Sequence, residues 1–457
     1  MKRIFAFLLL ALLGLSAVAQ GYKLTFQPQQ PKDSVAYIGQ HFRDKFNILD
    51  SALLDKGTYL FQGKRTLEPG VYTLLGSDRK KLFDFMIDGP QKFSIAYDEK
   101  GSNAGMKVKG SEANRLMYEY MAKLDWARAR SKEVKDDAAG MQALTEEMEA
   151  YEQSYMQKNA KYRFTELVAM FSNIEVPDEL PDNNAKAIYF RTHYWDKIDL
   201  TDHRLIYTPQ LFDKMNYYFF GLLYYQEADT ITRYAQRVLD RVVGDSTMLR
   251  YFLDFITPKY ERATKNIGWD QVFVNLVQNY YLQGRCPWAT EADLYSKRNT
   301  IQYLSHSLIG AIGQELFMAD TIQSENPATW ISSHRFPTPY VILWFWDPDC
   351  HHCQEQSAEL AKLVDSLDAA GTRRFEVYAI GYEADVAKWK RYLREHNMPF
   401  VNVGGSNVNI DYQEAYNVHG APTMILLDPD RRIIMNKVLP AKNILPFIDR
   451  YEEEHPE

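Results

Sequence analysis

A continuous apolar run at 340–346, YVILWFW, is the clearest hydrophobic signal in the second half of the chain. A strand that is buried on both faces has this pattern. Beyond it, apolar side chains recur at helical spacing from Leu360 to Leu367, and Gly371 follows as a stop signal. The pattern predicts a buried strand followed by a helix.

The same alternation continues to the end of the chain. Residues 374–381 predict a second strand, and apolar positions around Trp389 predict a second helix. Two further strands, 423–428 and 432–438, are joined by the turn PDR, and a last helix is predicted from about residue 443. A helical crossover makes the first two strands parallel, whereas the last two form an antiparallel hairpin. This mixed order over residues 307–457 is that of the α/β thioredoxin fold.

The preceding residues predict two other kinds of structure. Between 20 and 110, short strand-like runs alternate with Gly, Pro and Asp, as in antiparallel meanders, which predicts a small β-sandwich-like domain. From 111 to 306 helical periodicity dominates, with Ser111 as the N-cap of the first helix. We therefore predict an all-helical middle domain. Its aromatic run at 216–226 packs in the core or forms an interface to a second copy or another protein.

The N-terminus has the pattern of a secretory signal peptide. Lys2 and Arg3 precede a short apolar run and an A-x-A cleavage pattern, so we expect cleavage after Ala19 and export to the periplasm. An uncleaved anchor is the alternative, although the run is shorter than the ~20 residues of a spanning helix. No later stretch is apolar enough to span a membrane. Loss of Lys2 and Arg3 takes the formal charge from −7 to −9, which argues against nucleic acid as a partner.

Cysteines are scarce: only Cys286, Cys350 and Cys353 occur. The sequence CHHC directly follows the predicted buried strand, so the Cys350 sulfur should lie at a helix N-terminus, where unpaired N–H groups stabilise a thiolate. Cys350 would then attack a disulfide, and Cys353 would resolve the mixed disulfide.

Three interpretations of this motif compete: a redox-active pair, a metal site and a structural disulfide. A protonated His351 or His352 beside Cys350 would stabilise the thiolate further and give a potential less reducing than that of thioredoxin. A metal site would need four ligands, but no second pair is present, and a structural disulfide would close only a minimal loop. We expect a redox pair with no metal and no cofactor.

A second element lies in GAPT, where Pro422 directly precedes a strand. A cis bond before Pro422 would turn the backbone of Ala421 towards an extended substrate, and Thr423 would begin the strand. The alternative is an ordinary trans proline at a strand start.

With these motifs, residues 307–457 resemble the exported thioredoxin-like oxidoreductases of the TlpA/ResA type. The resemblance rests on WFWDPDCHHC, VYAIGYEAD, YNVHGAPTMILLD and RRIIMNKV. It implies Cys350 as nucleophile, Cys353 as resolving thiol and Pro422 as the cis-proline. The earlier parts of the chain are similar to the small β domain and the helical domain of unknown function found in such proteins.

The chain departs from this family at three positions. Trp344 stands where thioredoxins carry a buried Asp that helps to deprotonate the resolving cysteine. Gln356 and Ala358 replace a Glu and a Pro that are frequent after the motif. A carboxylate that serves Cys353 is therefore missing or comes from elsewhere.

The leading interpretation is a thiol–disulfide oxidoreductase that acts on client proteins through their cysteines and works with an unidentified redox partner. The alternative is an envelope binding or assembly protein whose thioredoxin domain is a docking module with little catalysis. Oligomerisation through the helical domain is a further expectation. Cys286 is expected to be a buried apolar side chain, or else a thiol that joins a partner.

Overall fold

The computed structural model describes residues 21–98, 100–172, 174–262, 267–320, 325–382 and 385–456. The predicted signal peptide, residues 1–19, lies outside them. Two compact units are present. The first runs to Tyr224 and includes Val238–Tyr251, and the second contains Tyr225–Arg237 and the chain from Phe252 onward. The predicted domain boundaries at 110 and 306 stay predictions.

The N-terminal part is β-rich. Its eight strands form one sheet in the order β6-β5-β2-β3-β4-β1-β7-β8. The strands are β1 (Lys23–Pro28), β2 (Val35–Phe42), β3 (Lys45–Asp55), β4 (Thr58–Gln62), β5 (Gly70–Leu75), β6 (Lys81–Ile87), β7 (Lys92–Tyr97) and β8 (Lys107–Lys109).

Consecutive strands pair in antiparallel orientation, as the predicted meanders require, at four places: β2–β3, β3–β4, β5–β6 and β7–β8. β4 pairs with β1 and β3, and β7 pairs with β1 in parallel and with β8 in antiparallel orientation. β2 and β3 lie between β5 and β4, and β1 lies between β4 and β7. Three pairs of sequence neighbours, β1 and β2, β4 and β5, and β6 and β7, are therefore separated in the sheet.

The middle of the chain is helical. Its helices are α1 (Glu112–Glu133), α2 (Ala138–Asn159), α3 (Arg163–Phe171), α4 (Asn183–His193), α5 (Pro209–Tyr217), α6 (Ala228–Val242), α7 (Ser246–Glu261), α8 (Trp269–Leu276) and α9 (Glu291–Ser305). Ser111 caps α1, as predicted, by accepting the N–H of Asn114. Within the aromatic run, Tyr218 and Phe219 are buried, whereas Tyr225 is exposed.

The C-terminal part is an α/β structure with a seven-stranded sheet in the order β10-β9-β13-β12-β11-β14-β15. Its strands are β9 (Phe317–Asp320), β10 (Ile331–Ser332), β11 (Tyr340–Trp346), β12 (Phe375–Gly381), β13 (Val401–Val408), β14 (Thr423–Leu427) and β15 (Ile433–Met435). Its helices are α10 (His351–Ala370), α11 (Val386–Glu395), α12 (Tyr412–Ala415) and α13 (Ile444–Glu454).

The predicted strand order is confirmed in this sheet. β11 and β12 are parallel, and β14 and β15 are antiparallel. Gly371 ends α10 with a φ of 65°, a left-handed conformation that glycine adopts without a steric penalty. β9, β10 and β13 extend the sheet beyond the strands that were predicted.

Strand β11 lies in the interior of the sheet, between β12 and β14, and is buried on both faces. Ile342, Trp344 and Trp346 pack against α10, α11 and α13, whereas Leu343 and Phe345 face a second apolar cluster. Because each face has its own core, all seven residues of the strand are apolar, and the strand end that carries the cysteines is firmly held.

No helix in the part of the chain that the structure describes is long and apolar enough to cross a membrane.

Candidate redox site

The cysteine pair lies just after β11, at the N-terminal end of α10. Cys350 is the N-cap of α10, and its Sγ accepts a hydrogen bond from the backbone N–H of Cys353 at 3.3 Å. Cys350 is partly exposed, Cys353 is fully buried, and both are free thiols. The N–H group and the positive end of the helix dipole therefore lie at the Cys350 sulfur.

The loop before β14 brings a third group to the pair. The Ala421–Pro422 peptide bond is cis, and the Cys350 thiol points at the Ala421 carbonyl oxygen, 3.9 Å away. Thr423 donates its hydroxyl to the Gly420 carbonyl at 2.7 Å and pairs with Phe345 of β11. The antiparallel pairing of β14 with β11 therefore carries this loop to the sulfur, although 71 residues separate Cys350 from Ala421.

The two histidines of the motif point towards one glutamate. His351 Nε2 lies 3.2 Å from one Glu355 carboxylate oxygen, and His352 Nδ1 lies 3.5 Å from the other. Both side chains are exposed, by 78% and 82%. Solvent and the Glu355 carboxylate both weaken the field of an imidazolium at the Cys350 sulfur. Glu355 lies four residues after His351 and three after His352, a spacing that places side chains on one face of a helix. The sequence therefore contained a signal for this contact that was not used in predicting the site.

Cys353 is a poor thiolate in this environment. Burial is the main cause that raises the pKa of the Cys353 thiol to about 12; the hydrogen bond with Cys350 and the charge of Asp347 act in the same direction, whereas a hydrogen bond with the Asp347 backbone lowers it. The Asp347 carboxylate is oriented by the backbone N–H of Asp349 at 2.8 Å, and its carbonyl accepts the N–H of Cys350 at 3.1 Å. Asp347 is therefore an acidic neighbour of both cysteines that the sequence analysis did not single out.

The position of the missing buried acid is filled by a paired indole. Trp344 and Ser357 are both fully buried, and Trp344 Nε1 donates to Ser357 Oγ at 2.9 Å. This contact satisfies the only donor of the indole and leaves no ionisable group at the position. The site has no carboxylate there to take a proton from Cys353.

Among the described residues, no group of three or more His, Cys, Asp or Glu side chains is placed to hold a metal ion. Cys286 is buried, and its burial raises the pKa of its thiol to about 12, so it is an inert apolar side chain at neutral pH.

The helix-capping thiol, its buried partner and the facing proline loop all lie within one segment that matches a known family model. Residues 339–433 match the family model of thioredoxin-like domains. The C-terminal part of the chain is a thioredoxin-like domain. Residues 22–117 match a domain of unknown function (DUF4369), and residues 141–293 match another (DUF5106).

Solved structures give further likenesses. One is a thioredoxin-like protein from Bacteroides caccae, with 17% identity and a TM-score of 0.49, covering 62% of this chain and 98% of that one. Another is a domain of a possible thiol-disulfide isomerase from Cytophaga hutchinsonii, with 28% identity and a TM-score of 0.28, covering 32% and 95%. A third is the thioredoxin domain of a thiol-disulfide oxidoreductase from Bacteroides vulgatus, with 19% identity and a TM-score of 0.26, covering 31% and 96%. Among curated proteins, none matches this chain.

Proposed function

We propose that this protein is an exported, periplasmic thiol–disulfide oxidoreductase that exchanges disulfides with protein cysteines through Cys350 and Cys353. The observation that carries the proposal is the geometry of Cys350. Its sulfur accepts the Cys353 N–H at the start of α10 and faces the carbonyl of Ala421, beside the cis-proline. A nucleophilic thiolate and a place for a client backbone therefore meet at one point.

The reaction follows from the two cysteines. The Cys350 thiolate attacks one sulfur of a client disulfide, forms a mixed disulfide and releases the other client sulfur as a thiolate, which takes up a proton. Cys353 then loses its proton and attacks the Cys350 sulfur. The Cys350–Cys353 disulfide forms, and the client leaves with two thiols and two electrons. The reverse sequence oxidises a client dithiol, and the redox partner restores the starting state.

Equilibration with glutathione tests this chemistry. We expect the full chain to pass between two free thiols and one Cys350–Cys353 disulfide in a two-electron transition, scored by acid quenching, maleimide labelling and mass spectrometry. The sequence-based prediction adds a midpoint above about −270 mV, the potential of thioredoxin. If both cysteines stay free at every glutathione ratio, the oxidoreductase proposal is wrong. Cys286 serves as the internal control because it is buried and unpaired.

Export is supported by the pattern of the first 19 residues, with its basic start, short apolar run and A-x-A cleavage pattern. Cell fractionation tests it. We expect the chain in the periplasmic fraction, shortened at its N-terminus by 19 residues.

One observation favours the docking function as the second candidate. Trp344, bonded to Ser357, occupies the place of a proton acceptor, and the buried Cys353 has a high pKa. Both features slow the resolution of a mixed disulfide, so a client would stay bound for longer than on thioredoxin. Docking and exchange then differ in one measurable quantity, the lifetime of the mixed disulfide.

A further inference from the structure

A cavity of about 620 Å³ opens on the loop that faces Cys350. One wall consists of this loop, including Ala421, Pro422 and Thr423, and the residues after β15. The other wall comes from the helical part, at the ends of α7 and α9 and the start of α8. The thioredoxin-like domain by itself would lack this second wall.

The cavity lies next to the reacting sulfur, with Ala421 between them. Ala421 both lines the cavity and lies 3.9 Å, through its carbonyl oxygen, from Cys350 Sγ. A client cysteine bonded to Cys350 would therefore lie close to this residue. Since consecutive Cα atoms are 3.8 Å apart, side chains one or two positions from that cysteine reach the cavity.

A hydrogen-bonded polar group links the two walls of the cavity. Asp270 is buried and accepts a hydrogen bond from Asn436 Nδ2 at 2.6 Å, and Lys437 Nζ lies 3.6 Å from the same carboxylate. Asn436 Nδ2 also donates to the Ser307 carbonyl at 2.9 Å. The charges of Asp270 and Lys437 compensate each other, so this group shapes the cavity without adding net charge.

Each wall also carries an acceptor without a partner among the described residues. Asn436 is buried, and its Oδ1 has no hydrogen-bond partner in the described part of the chain. Glu261 lines the cavity as well, and among the described residues its carboxylate has no ion-pair partner. Tyr303 and Leu304 add an aromatic ring and an aliphatic surface. Such walls suit a side chain with an apolar stem and a positively charged donor at its end.

We propose that this cavity is a specificity pocket that seats a lysine or arginine side chain of the client next to its reacting cysteine. The proposal rests on the oxidoreductase function, because it takes the approach to Cys350 as the path of the client. It assigns to the helical part of the chain the selection of clients. Glu261 and Tyr303 are the residues that determine this preference.

Binding of redox-inert peptides tests the pocket independently of exchange. Fluorescein-labelled decapeptides with serine in place of cysteine, and with Lys, Leu or Glu at each of the two positions on either side, are titrated with the full chain, and polarisation is measured. At one or more of these positions we expect the Lys peptide to bind about three- to fivefold more tightly than the Glu peptide, the scale of one exposed ion pair.

Matched variants separate the pocket from general effects. We expect Glu261→Gln to abolish the preference for the Lys peptide over the Glu peptide. Tyr303→Ala should weaken the binding of the Lys and Leu peptides to the same extent. Glu291→Gln and Tyr295→Ala alter exposed residues of α9 outside the cavity and should leave binding unchanged. Equal binding of all peptides, or insensitivity to Glu261→Gln, would overturn the pocket.

Exchange with the corresponding cysteine peptides is then measured for each protein, relative to its rate with 2-hydroxyethyl disulfide, which has no flanking side chains. The Lys preference should reappear in these relative rates. If the peptides bind with the expected preference but no disulfide is exchanged, the oxidoreductase function fails and the pocket stands. If exchange is normal and binding shows no preference, the pocket fails and the function stands.

Discussion

The high pKa of Cys353 predicts a strong pH dependence for one step of the reaction, the resolution of the mixed disulfide. Burial is the main cause of the rise from the ordinary value of 9.0 to about 12. At pH 7 a thiol with a pKa of 9 has about 1 thiolate in 100, whereas one with a pKa of 12 has about 1 in 10⁵. Because a thiolate becomes a stronger nucleophile as its pKa rises, part of this difference is offset, and resolution at neutral pH should be slowed by less than about 10³-fold relative to a solvent-exposed thiol.

Formation of the mixed disulfide changes this value in a known direction. Cys350 then no longer acts as a thiol or thiolate, and its contribution to the pKa of Cys353 is lost, but burial remains. We expect a pKa that stays above 9. The rate of resolution should then rise about tenfold for each pH unit between pH 6 and pH 9, because only the thiolate attacks.

Rapid acid quenching after mixing the reduced protein with oxidised glutathione measures this step. Mass spectrometry separates the glutathione adduct on Cys350 from the Cys350–Cys353 disulfide, so formation and resolution are followed independently. The adduct should accumulate at pH 6 and pH 7, and in Cys353→Ser it should persist at every pH. A resolution rate that levels off at or below pH 8 would refute the reasoning, since the thiolate fraction of Cys353 would then already be complete.

Three further substitutions test the surroundings of the site. Asp347→Asn removes a charge that raises the pKa of Cys353, so resolution at pH 7 should become faster, by about two- to tenfold, with Asp349→Asn as the exposed control; slower resolution would instead make Asp347 a proton acceptor. Replacing His351 and His352 with alanine should make the potential more negative by less than about 30 mV, measured against glutathione, because both rings are exposed; a larger shift would show direct control of the Cys350 thiolate. Ser357→Ala leaves the Trp344 indole N–H buried without an acceptor and should lower the free energy of unfolding, measured by urea denaturation, by about 1–3 kcal/mol. The control Ser366→Ala alters an exposed residue of the same helix and should lower it by less than about 0.5 kcal/mol. Equal effects of the two substitutions would contradict the role of this hydrogen bond.

The elements with one dominant pattern were predictable from the sequence. The run at 340–346 is apolar because β11 is covered on both faces, and Gly371 adopts the left-handed conformation that ends a helix. By contrast, β13 contains two glycines and two asparagines, and β10 has only two residues. Neither strand has enough apolar alternation to be distinguished from a loop, and pairing with β9 and β12 decides their structure.

The features of the site also differ in how far the sequence could predict them. The position of Cys350 at the start of a helix follows from local order along the chain. The hydrogen bond between Trp344 and Ser357 joins a strand to the second turn of a helix, and its existence depends on side-chain packing. The cavity could not be predicted, since residues from Glu261 to Val438 form its walls. No periodicity relates positions so far apart.

Capture of clients tests the central claim most directly. The full chain with Cys353→Ser is expressed in cells and its export to the envelope is allowed. Acid then stops thiol exchange, maleimide blocks the free thiols, and disulfide-linked complexes are recovered without reductant. We predict complexes with client proteins that are joined through Cys350, released by dithiothreitol and absent from the Cys350→Ser/Cys353→Ser double variant. A folded Cys353→Ser protein that captures no client would contradict the proposal that Cys350 exchanges disulfides with proteins.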